Sequence, residues 1–265
     1  MRRSTLEALR CPRCLAGSLV PEAPVEEPAL IFGPVRCLGC SSRYPVNEGL
    51  IDFGIDKTKP SPLQQALELP WVARSWDRYF RPALDTLLTR NLLDRESEYQ
   101  ATRTMLGRLS GTVVDLGCGA GAFLQRLVRD FPDARFVGAD MSRPMIEEAM
   151  ALARENAIGA DFVRTQVPPL PFLGHSLSAI VATGVVHYLE EIDTLFAEVA
   201  RVLKPGGRLI ASTFVKPLDV APIRAGMGLF AREEQQLEGA VARAGLIRFE
   251  RVRAGPFLVW KSEVP

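Results

Sequence analysis

From Thr112 onward, short apolar runs alternate with segments whose apolar residues recur at helical spacing. The apolar runs are Val113–Val114, Phe136–Ala139, Leu177–Ala182 and Arg208–Thr213. The helical stripes are Phe123, Leu124, Leu127, Val128 and Phe131, and Ile192, Leu195, Phe196, Val199, Val202 and Leu203. Apolar strands that alternate with amphipathic helices predict an α/β domain, in which helices cover both faces of a parallel sheet.

Both ends of the chain depart from this alternation. Leu246–Val252 and Phe257–Lys261 predict an antiparallel strand pair. Residues 1–54 contain paired cysteines and no long helical period, which is typical of a small, loop-rich module. A linker at Lys57–Pro62 is followed by leucines at helical spacing. We therefore expect three units: a module at 1–54, a helical connector and possible substrate lid at 55–110, and an α/β domain at 111–265.

The charge balance offers no sign of a nucleic-acid or membrane surface. The chain has 32 basic and 31 acidic residues, without a long run of like charges. No apolar segment approaches the roughly 20 residues that span a bilayer. The first residues also lack the apolar core of a signal peptide. These features predict a cytoplasmic protein with no membrane span, and they leave its oligomeric state open.

A glycine-rich turn follows the first predicted strand, in Asp115-Leu116-Gly117-Cys118-Gly119-Ala120-Gly121. Glycines are needed where the backbone turns sharply and a ligand approaches closely, because a Cβ atom would occupy that space. Nineteen residues beyond Gly121, Asp140 ends the second predicted strand. A carboxylate there can accept hydrogen bonds from ribose hydroxyls. The pattern predicts a site for a nucleotide-containing cofactor.

The glycine spacing alone does not identify that cofactor. Gly117, Gly119 and Ala122 also fit the G-x-G-x-x-A fingerprint of nicotinamide enzymes. Three features weigh against a nicotinamide cofactor: Asp115 precedes the turn, Pro205-Gly206-Gly207 stands just before a strand, and no second substrate domain follows.

Four of the five cysteines form two C-x-x-C pairs, Cys11 with Cys14 and Cys37 with Cys40, and 22 residues separate the pairs. Two such knuckles are typical of a tetrahedral zinc site. Four thiolates leave no coordination position for water, so we expect a structural zinc. A module of this size has little core of its own, and the metal would hold it together.

The D-L-G-C-G-A-G turn, Asp140 and the L-K-P-G-G-R-L segment resemble class I S-adenosylmethionine-dependent methyltransferases, from about Thr112 to Lys261. The cysteine pairs and Ser42–Asp52 resemble the zinc ribbon fused to several bacterial methyltransferases, and the zinc-ribbon activator of eukaryotic RNA and protein methyltransferases. The chain as a whole is similar to plastid-associated methyltransferases of plants and their bacterial relatives. The segment Glu238–Phe257 carries much of this likeness. The resemblance implies a Rossmann-like, mostly parallel sheet with an antiparallel C-terminal strand, plus a small N-terminal zinc ribbon.

The resemblance also implies which residues hold S-adenosylmethionine. The glycine turn would wrap the methionine part, Asp140 would bind the ribose, and Met141 would lie beside the adenine. Gln166 stands where the family usually has an Asp that faces the adenine amino group, and its amide oxygen can still accept that hydrogen bond. The candidate cofactor residues are Asp115, Gly117, Cys118, Gly119, Gly121, Asp140, Met141, Gln166, Val167 and Thr183.

Methyl transfer from a sulfonium needs proximity and alignment more than a dedicated base. If the nucleophile carries a proton, His187 is the candidate base, with Tyr188 beside it, because both follow the strand that faces the transferred methyl group. A histidine here can instead shape the pocket.

Four aromatic residues lie where class I methyltransferases place a lid: Trp71, Trp76, Tyr79 and Phe80. They either wall an apolar substrate pocket or pack the connector onto the catalytic domain. We expect methyl transfer to O or C of a small lipophilic acceptor that is natural-product, quinone-like or phenolic in character. An rRNA or tRNA base methyltransferase that uses the ribbon to bind RNA is the alternative. A noncatalytic, cofactor-binding partner protein is a third possibility.

Overall fold

A computed structural model describes residues 1–23, 32–54, 62–89, 92, 94–217 and 228–265. Its helices are α1 (Arg3–Ala8), α2 (Pro62–Leu67), α3 (Pro70–Ser75), α4 (Arg81–Thr89), α5 (Arg95–Leu106), α6 (Ala122–Asp130), α7 (Arg143–Glu155), α8 (Ile192–Val202) and α9 (Glu234–Arg243). A π-helical turn at Trp76–Phe80 connects α3 to α4, and a 3-10 turn covers Val186–Tyr188. The predicted linker, apart from Pro62, lies outside the described residues.

The strands form a large sheet and a small one. They are β1 (Leu19–Pro21), β2 (Val35–Cys37), β3 (Arg43–Tyr44), β4 (Val46–Asn47), β5 (Leu50–Asp52), β6 (Gly111–Leu116), β7 (Ala134–Asp140), β8 (Ala160–Arg164), β9 (Leu177–Thr183), β10 (Leu203–Phe214), β11 (Ile247–Ala254) and β12 (Phe257–Glu263). In the described part of the chain, the large sheet has the order β11-β12-β10-β9-β6-β7-β8-β5-β4, and the small one β1-β2-β3.

The centre of the large sheet is parallel, and the end formed by β12 and β11 is antiparallel. Strands β10, β9, β6, β7, β8 and β5 run parallel, whereas β12 pairs antiparallel with both β10 and β11. The predicted fold class is confirmed. Strand β10 begins before its predicted start, at Leu203, and its register with β9 shifts between Leu203 and Arg208.

Helices cover both faces of the sheet because successive strand residues point in opposite directions. On β6, Val113 packs into a cluster with residues of α5, α6 and α7, whereas Val114 packs with residues of α1, α8 and α9. Both side chains are fully buried. The two clusters hold the strands in place, so the carboxyl ends of β6, β7, β8 and β9 form one rigid edge.

The N-terminal module, residues 1–54, is joined to the large sheet. Strands β4 and β5 form a hairpin, and β5 pairs in parallel with β8. The chain start is also attached, because Arg2 Nε donates to Asp161 Oδ2 at 2.9 Å, and the Thr5 hydroxyl donates to the same oxygen. Part of the predicted module therefore completes the sheet of the predicted catalytic domain.

Among the described helices, none combines the length and the apolar character that crossing a membrane requires.

Candidate cofactor and acceptor site

The glycine-rich turn connects β6 to α6 and needs its glycines. Gly117, Gly119 and Gly121 have φ angles of 71°, 54° and 89°, a region that side chains with a Cβ rarely adopt. A Cβ on Gly121 would lie 2.8 Å from the Cβ of Ala149 on α7. The turn is fixed at its start, because the Gly117 amide donates to Ala139 O at 2.7 Å.

Asp140 closes the same turn from the end of β7. Its carboxylate accepts hydrogen bonds from the Gly119 amide at 2.9 Å and from the Ser142 amide at 2.8 Å. Burial raises the pKa of Asp140, and these backbone donors oppose that rise. The structure thus brings together Asp140 and the glycine turn, as the sequence predicts.

Asp115, on β6, is a buried acid that lacks a hydrogen-bond partner. Its side chain is 1% exposed, and neither carboxylate oxygen has a partner among the described residues. Burial, reinforced by the negative charge of Asp140, raises its pKa to about 8. A buried polar group without a partner costs stability, so such a group indicates a place for a hydrogen-bond donor.

Gln166 shares this property, because its buried Oε1 atom also lacks a partner among the described residues. It lies two residues beyond the end of β8. Val167 is partly buried, and Thr183 is buried. Cys118 is buried under the turn, where its Sγ would be 3.0 Å from a Cβ on Gly138.

The segment from α2 to the π-helical turn packs against the glycine turn and the start of α7. The Ser142 hydroxyl donates to Leu67 O at 3.0 Å, and the Ala122 amide at the start of α6 donates to Asp77 Oδ2 at 3.2 Å. The indole of Trp76 lies 3.7 Å from the position of a Cβ on Gly119. The connector therefore contacts the candidate cofactor residues.

A small cavity adjoins the connector and has a volume of about 30 Å³. Its lining comprises Trp76, Arg81, Leu84, Asp85, Leu88, Gly184, His187, Tyr188, Phe214 and Phe257. Trp76 is the predicted aromatic residue that reaches it. Trp71, Tyr79 and Phe80 are 60%, 59% and 36% exposed, so the structure leaves them at the surface.

His187 is buried beneath the cavity as a neutral imidazole. Burial, with the positive charges of Arg81 and Arg232, lowers its pKa to about 3. Its Nδ1 faces the Phe214 amide at 3.4 Å, so Nδ1 accepts and the ring proton belongs on Nε2. The neighbouring Tyr188 has its pKa raised to about 12 by burial.

Sequence reasoning missed an ionic cluster beside the cavity. Arg81 lies 3.5 Å from Asp85 and 3.6 Å from Glu98, whose carboxylate accepts a hydrogen bond from Ser212 at 2.6 Å. Its guanidinium packs against Gly184, after β9. The spacing of Arg81 and Asp85 by four residues on one predicted helix was the available signal.

The four cysteines of the N-terminal module form one cluster. Their sulfur atoms all lie within 4.8 Å of one another, with 3.7 Å between Cys11 and Cys40 and 3.5 Å between Cys14 and Cys37. A tetrahedral zinc with Zn–S bonds of about 2.3 Å separates its sulfurs by about 3.8 Å. The Gly39 amide donates to Cys37 Sγ at 3.3 Å, as expected for a thiolate ligand. The donor set and spacing fit zinc.

Residues 113–207 match the family model of a methyltransferase domain. An uncharacterised chloroplastic methyltransferase of Arabidopsis thaliana is 27% identical over 99% of this chain and 80% of that protein. A ubiquinone/menaquinone biosynthesis C-methyltransferase of Desulfotalea psychrophila is 31% identical over 50% of this chain and 56% of its own length.

A solved structure supports the same fold. The geranyl diphosphate C-methyltransferase of Streptomyces coelicolor superposes with a TM-score of 0.58, at 20% sequence identity. The match covers 64% of this chain and 80% of that chain.

Proposed function

We propose that this chain, a class I S-adenosylmethionine-dependent methyltransferase by its fold and family, transfers the methyl group to an O or C atom of a small lipophilic acceptor. The observation that carries the proposal is that Trp76 packs against the glycine turn, which adjoins the buried acids Asp115 and Asp140, and also lines a partly apolar cavity. The buried acids suit a polar cofactor, and the apolar part of the cavity suits an apolar acceptor.

Different candidate cofactor residues would bind different parts of S-adenosylmethionine. Asp115 would accept hydrogen bonds from the ammonium group of the methionine part, and Asp140 from the ribose hydroxyls. Gln166 Oε1 would accept from the adenine amino group, beside Met141. In each case a buried oxygen gains a donor. Bound S-adenosylmethionine supplies a methyl group on a sulfonium, which is electrophilic without a metal or redox partner.

The apolar part of the cavity lining favours a lipophilic acceptor, but a volume of about 30 Å³ has room for only about two water molecules, so an acceptor would have to displace part of the connector. Trp76, Leu88, Phe214 and Phe257 would exclude water from the reacting atoms. Among relatives of this chain, named acceptors or products include quinones and fatty acids. We assign the acceptor to this broad class, with natural-product, quinone-like and phenolic molecules as the first to be tried.

His187 and Tyr188 remain proposed residues of the acceptor site. The neutral imidazole, with its proton on Nε2, suits a hydrogen-bond donor that orients an acceptor oxygen. Removal of a proton by an imidazole whose pKa is about 3 is weakly driven at neutral pH. We propose that His187 positions the acceptor and acts as a base only for an acceptor that is itself acidic.

Zinc in the cysteine cluster would be structural. Cys11, Cys14, Cys37 and Cys40 would complete its coordination, which leaves no position for a substrate. We propose that residues 1–54, 55–110 and 111–265 act as a metal-stabilised module, a cover and a catalytic domain, and that β4 and β5 attach the module to the catalytic sheet.

The test is transfer of label from methyl-labelled S-adenosylmethionine. The purified protein is incubated with a lipophilic extract or with total RNA from its source cell. The label incorporated into the extract and into the RNA is then measured. We expect label in the extract. Salt-sensitive label in RNA, with none in the extract, would contradict the assignment of the acceptor, because binding to phosphates weakens steeply with salt.

A further inference from the structure

One residue of the N-terminal module lies in register with the candidate cofactor residues. Asp140 on β7 pairs with Arg164 on β8, and Arg164 pairs with Asp52 on β5. The three residues therefore form a row across the carboxyl ends of three parallel strands. Asp52 belongs to the cysteine-bearing module, whereas the other two belong to the catalytic domain.

The side chains of this row are connected by an ionic contact. Arg164 Nη1 lies 3.2 Å from both carboxylate oxygens of Asp52. Arg164 Nε donates to the backbone oxygen of Met141 at 3.1 Å. The two side chains are 14% and 15% exposed, so solvent screens the pair less than it would at the surface. One guanidinium thus connects the module to the loop that follows Asp140.

The same contact reaches both sides of the proposed adenine site. Met141 belongs to one side, and Gln166, two residues after Arg164, belongs to the other. The Thr165 amide also donates to Asp140 O at 2.9 Å, and the Phe53 amide donates to Arg164 O at 3.0 Å. A shift of the Arg164 side chain would therefore move backbone that carries proposed adenine contacts.

We propose that Asp52 is a positioning residue for the adenine end of the cofactor site and acts through Arg164. The N-terminal module then contributes directly to cofactor affinity, in addition to its own stability. This inference rests on the proposed function, since it assumes that the site binds S-adenosylmethionine. It differs from a general docking role, because it assigns the effect to the contact with Arg164. Asp52 also lies 3.5 Å from Arg143 at the start of α7, and Arg164→Lys separates the two contacts.

The same hairpin supplies a matched control. Glu48 pairs with Arg154 of α7 at 2.9 Å, and this pair also joins the module to the catalytic domain. Both side chains are more than half exposed, at 62% and 59%. Arg154 lies in the last turn of α7, whereas the proposed cofactor residues precede the first turn of that helix. Loss of this pair should leave the cofactor site unchanged.

The experiment measures affinities of wild type, Asp52→Asn, Arg164→Lys and Glu48→Gln for two probes, S-adenosylhomocysteine and 5′-methylthioadenosine. The probes share adenosine, but only the first carries the homocysteine end. We expect Asp52→Asn to weaken both by the same factor, about 5-fold, which is a typical coupling between neighbouring groups. Arg164→Lys should do the same, because lysine cannot bind Asp52 and Met141 O together, and the double variant should add little.

Each outcome has a defined meaning. If wild type does not bind S-adenosylhomocysteine, the proposed function fails. If wild type binds and Asp52→Asn binds equally well, the inference is overturned while the proposed function stands. A loss confined to S-adenosylhomocysteine, or an equal loss in Glu48→Gln, would also overturn it. If thermal melting shows that Asp52→Asn is unfolded, the test relies on Arg164→Lys. Unchanged affinity of folded Arg164→Lys for both probes would then overturn the inference.

Discussion

At the scale of single residues, Asp115 lowers the stability of the cofactor-free protein because it belongs to a ligand site. Its carboxylate is buried next to Asp140 and lacks a hydrogen-bond partner among the described residues. The neutral form is therefore favoured in the folded protein. The unfolded chain loses its proton more easily, so the free energy of unfolding falls as pH rises from about 4 to about 8.

We predict that Asp115→Asn stabilises the cofactor-free protein by on the order of 1–3 kcal/mol at pH 8, because it removes a buried charge. It should also weaken binding of S-adenosylhomocysteine, since an amide is a poorer partner for an ammonium group. Urea unfolding at pH 5 and pH 8, with calorimetric titration of the ligand, measures both effects.

Asp193→Asn is the control, because Asp193 forms an exposed pair with Arg243. It should change neither quantity appreciably. A variant Asp115→Asn that is less stable than wild type at pH 8, with full ligand affinity, would contradict the role assigned to Asp115.

The burial of His187 predicts an unusual dependence of activity on pH. With its pKa near 3, the imidazole stays neutral down to well below pH 5. Activity should therefore show no inflection near pH 6.5 that depends on this residue. We expect His187→Gln to lower kcat/KM by about 10-fold or more through lost orientation, with an unchanged profile between pH 5 and pH 8. Steady-state rates with any accepted substrate test this.

His175→Gln serves as the matched control, since His175 is exposed and does not line the cavity. A fall in wild-type activity centred near pH 6.5 that disappears in His187→Gln would show that His187 titrates there, and the neutral assignment would then be wrong.

Sequence identified the residues whose roles follow from local pattern. Glycines before a helix and an acid at the end of the next strand are typical of a nucleotide-binding turn, so Asp140 and Gly119 could be assigned to one cofactor site in advance. The cavity lining could not be derived in this way. Arg81 reaches the cavity only through the packing of α4, and spacing alone did not distinguish buried Trp76 from exposed Trp71 and Tyr79.

At the level of elements, the β4–β5 hairpin is the feature that sequence could not place. The cysteine spacing marks a module, and Leu50-Ile51-Asp52 reads as its end. Its pairing partner on β8 lies more than a hundred residues later in the chain, and a strand of three residues carries almost no periodic signal. The helices α6 and α8 were predicted closely, because each has a long apolar stripe.

We predict that Cys37→Ser lowers the zinc content from one per chain, exposes residues 1–54 to protease before the rest of the protein, and weakens cofactor binding. The reason is that loss of a thiolate releases the module whose β5 strand supports β8. Elemental analysis, limited proteolysis and titration with S-adenosylhomocysteine measure the three effects.

Leu38→Ala is the matched control, because Leu38 lies between two cysteines of the cluster and is 57% exposed. It should keep its zinc and its affinity. Wild-type protein purified without zinc, with Cys11 freely alkylated in the native state, would contradict the metal assignment.

At the scale of the whole molecule, the candidate site draws on three parts of the chain. The catalytic sheet supplies Asp115 and Asp140, the connector supplies Trp76, and the N-terminal module supports the adenine side through Asp52. The proposal of a small acceptor rests on the near-neutral net charge of +1 and on the apolar part of the cavity lining. The account therefore depends on whether this edge of the sheet binds S-adenosylmethionine.

Calorimetric titration with S-adenosylhomocysteine tests that claim most directly. We predict one site per chain in the wild type, with binding weakened by roughly 1.5–3 kcal/mol in Asp140→Ala, the usual scale for hydrogen bonds to a charged group. Asp193→Asn, which alters an exposed pair with Arg243, should bind like wild type. Equal affinity in wild type and Asp140→Ala, or tight binding of NADH in place of S-adenosylhomocysteine, would contradict the account.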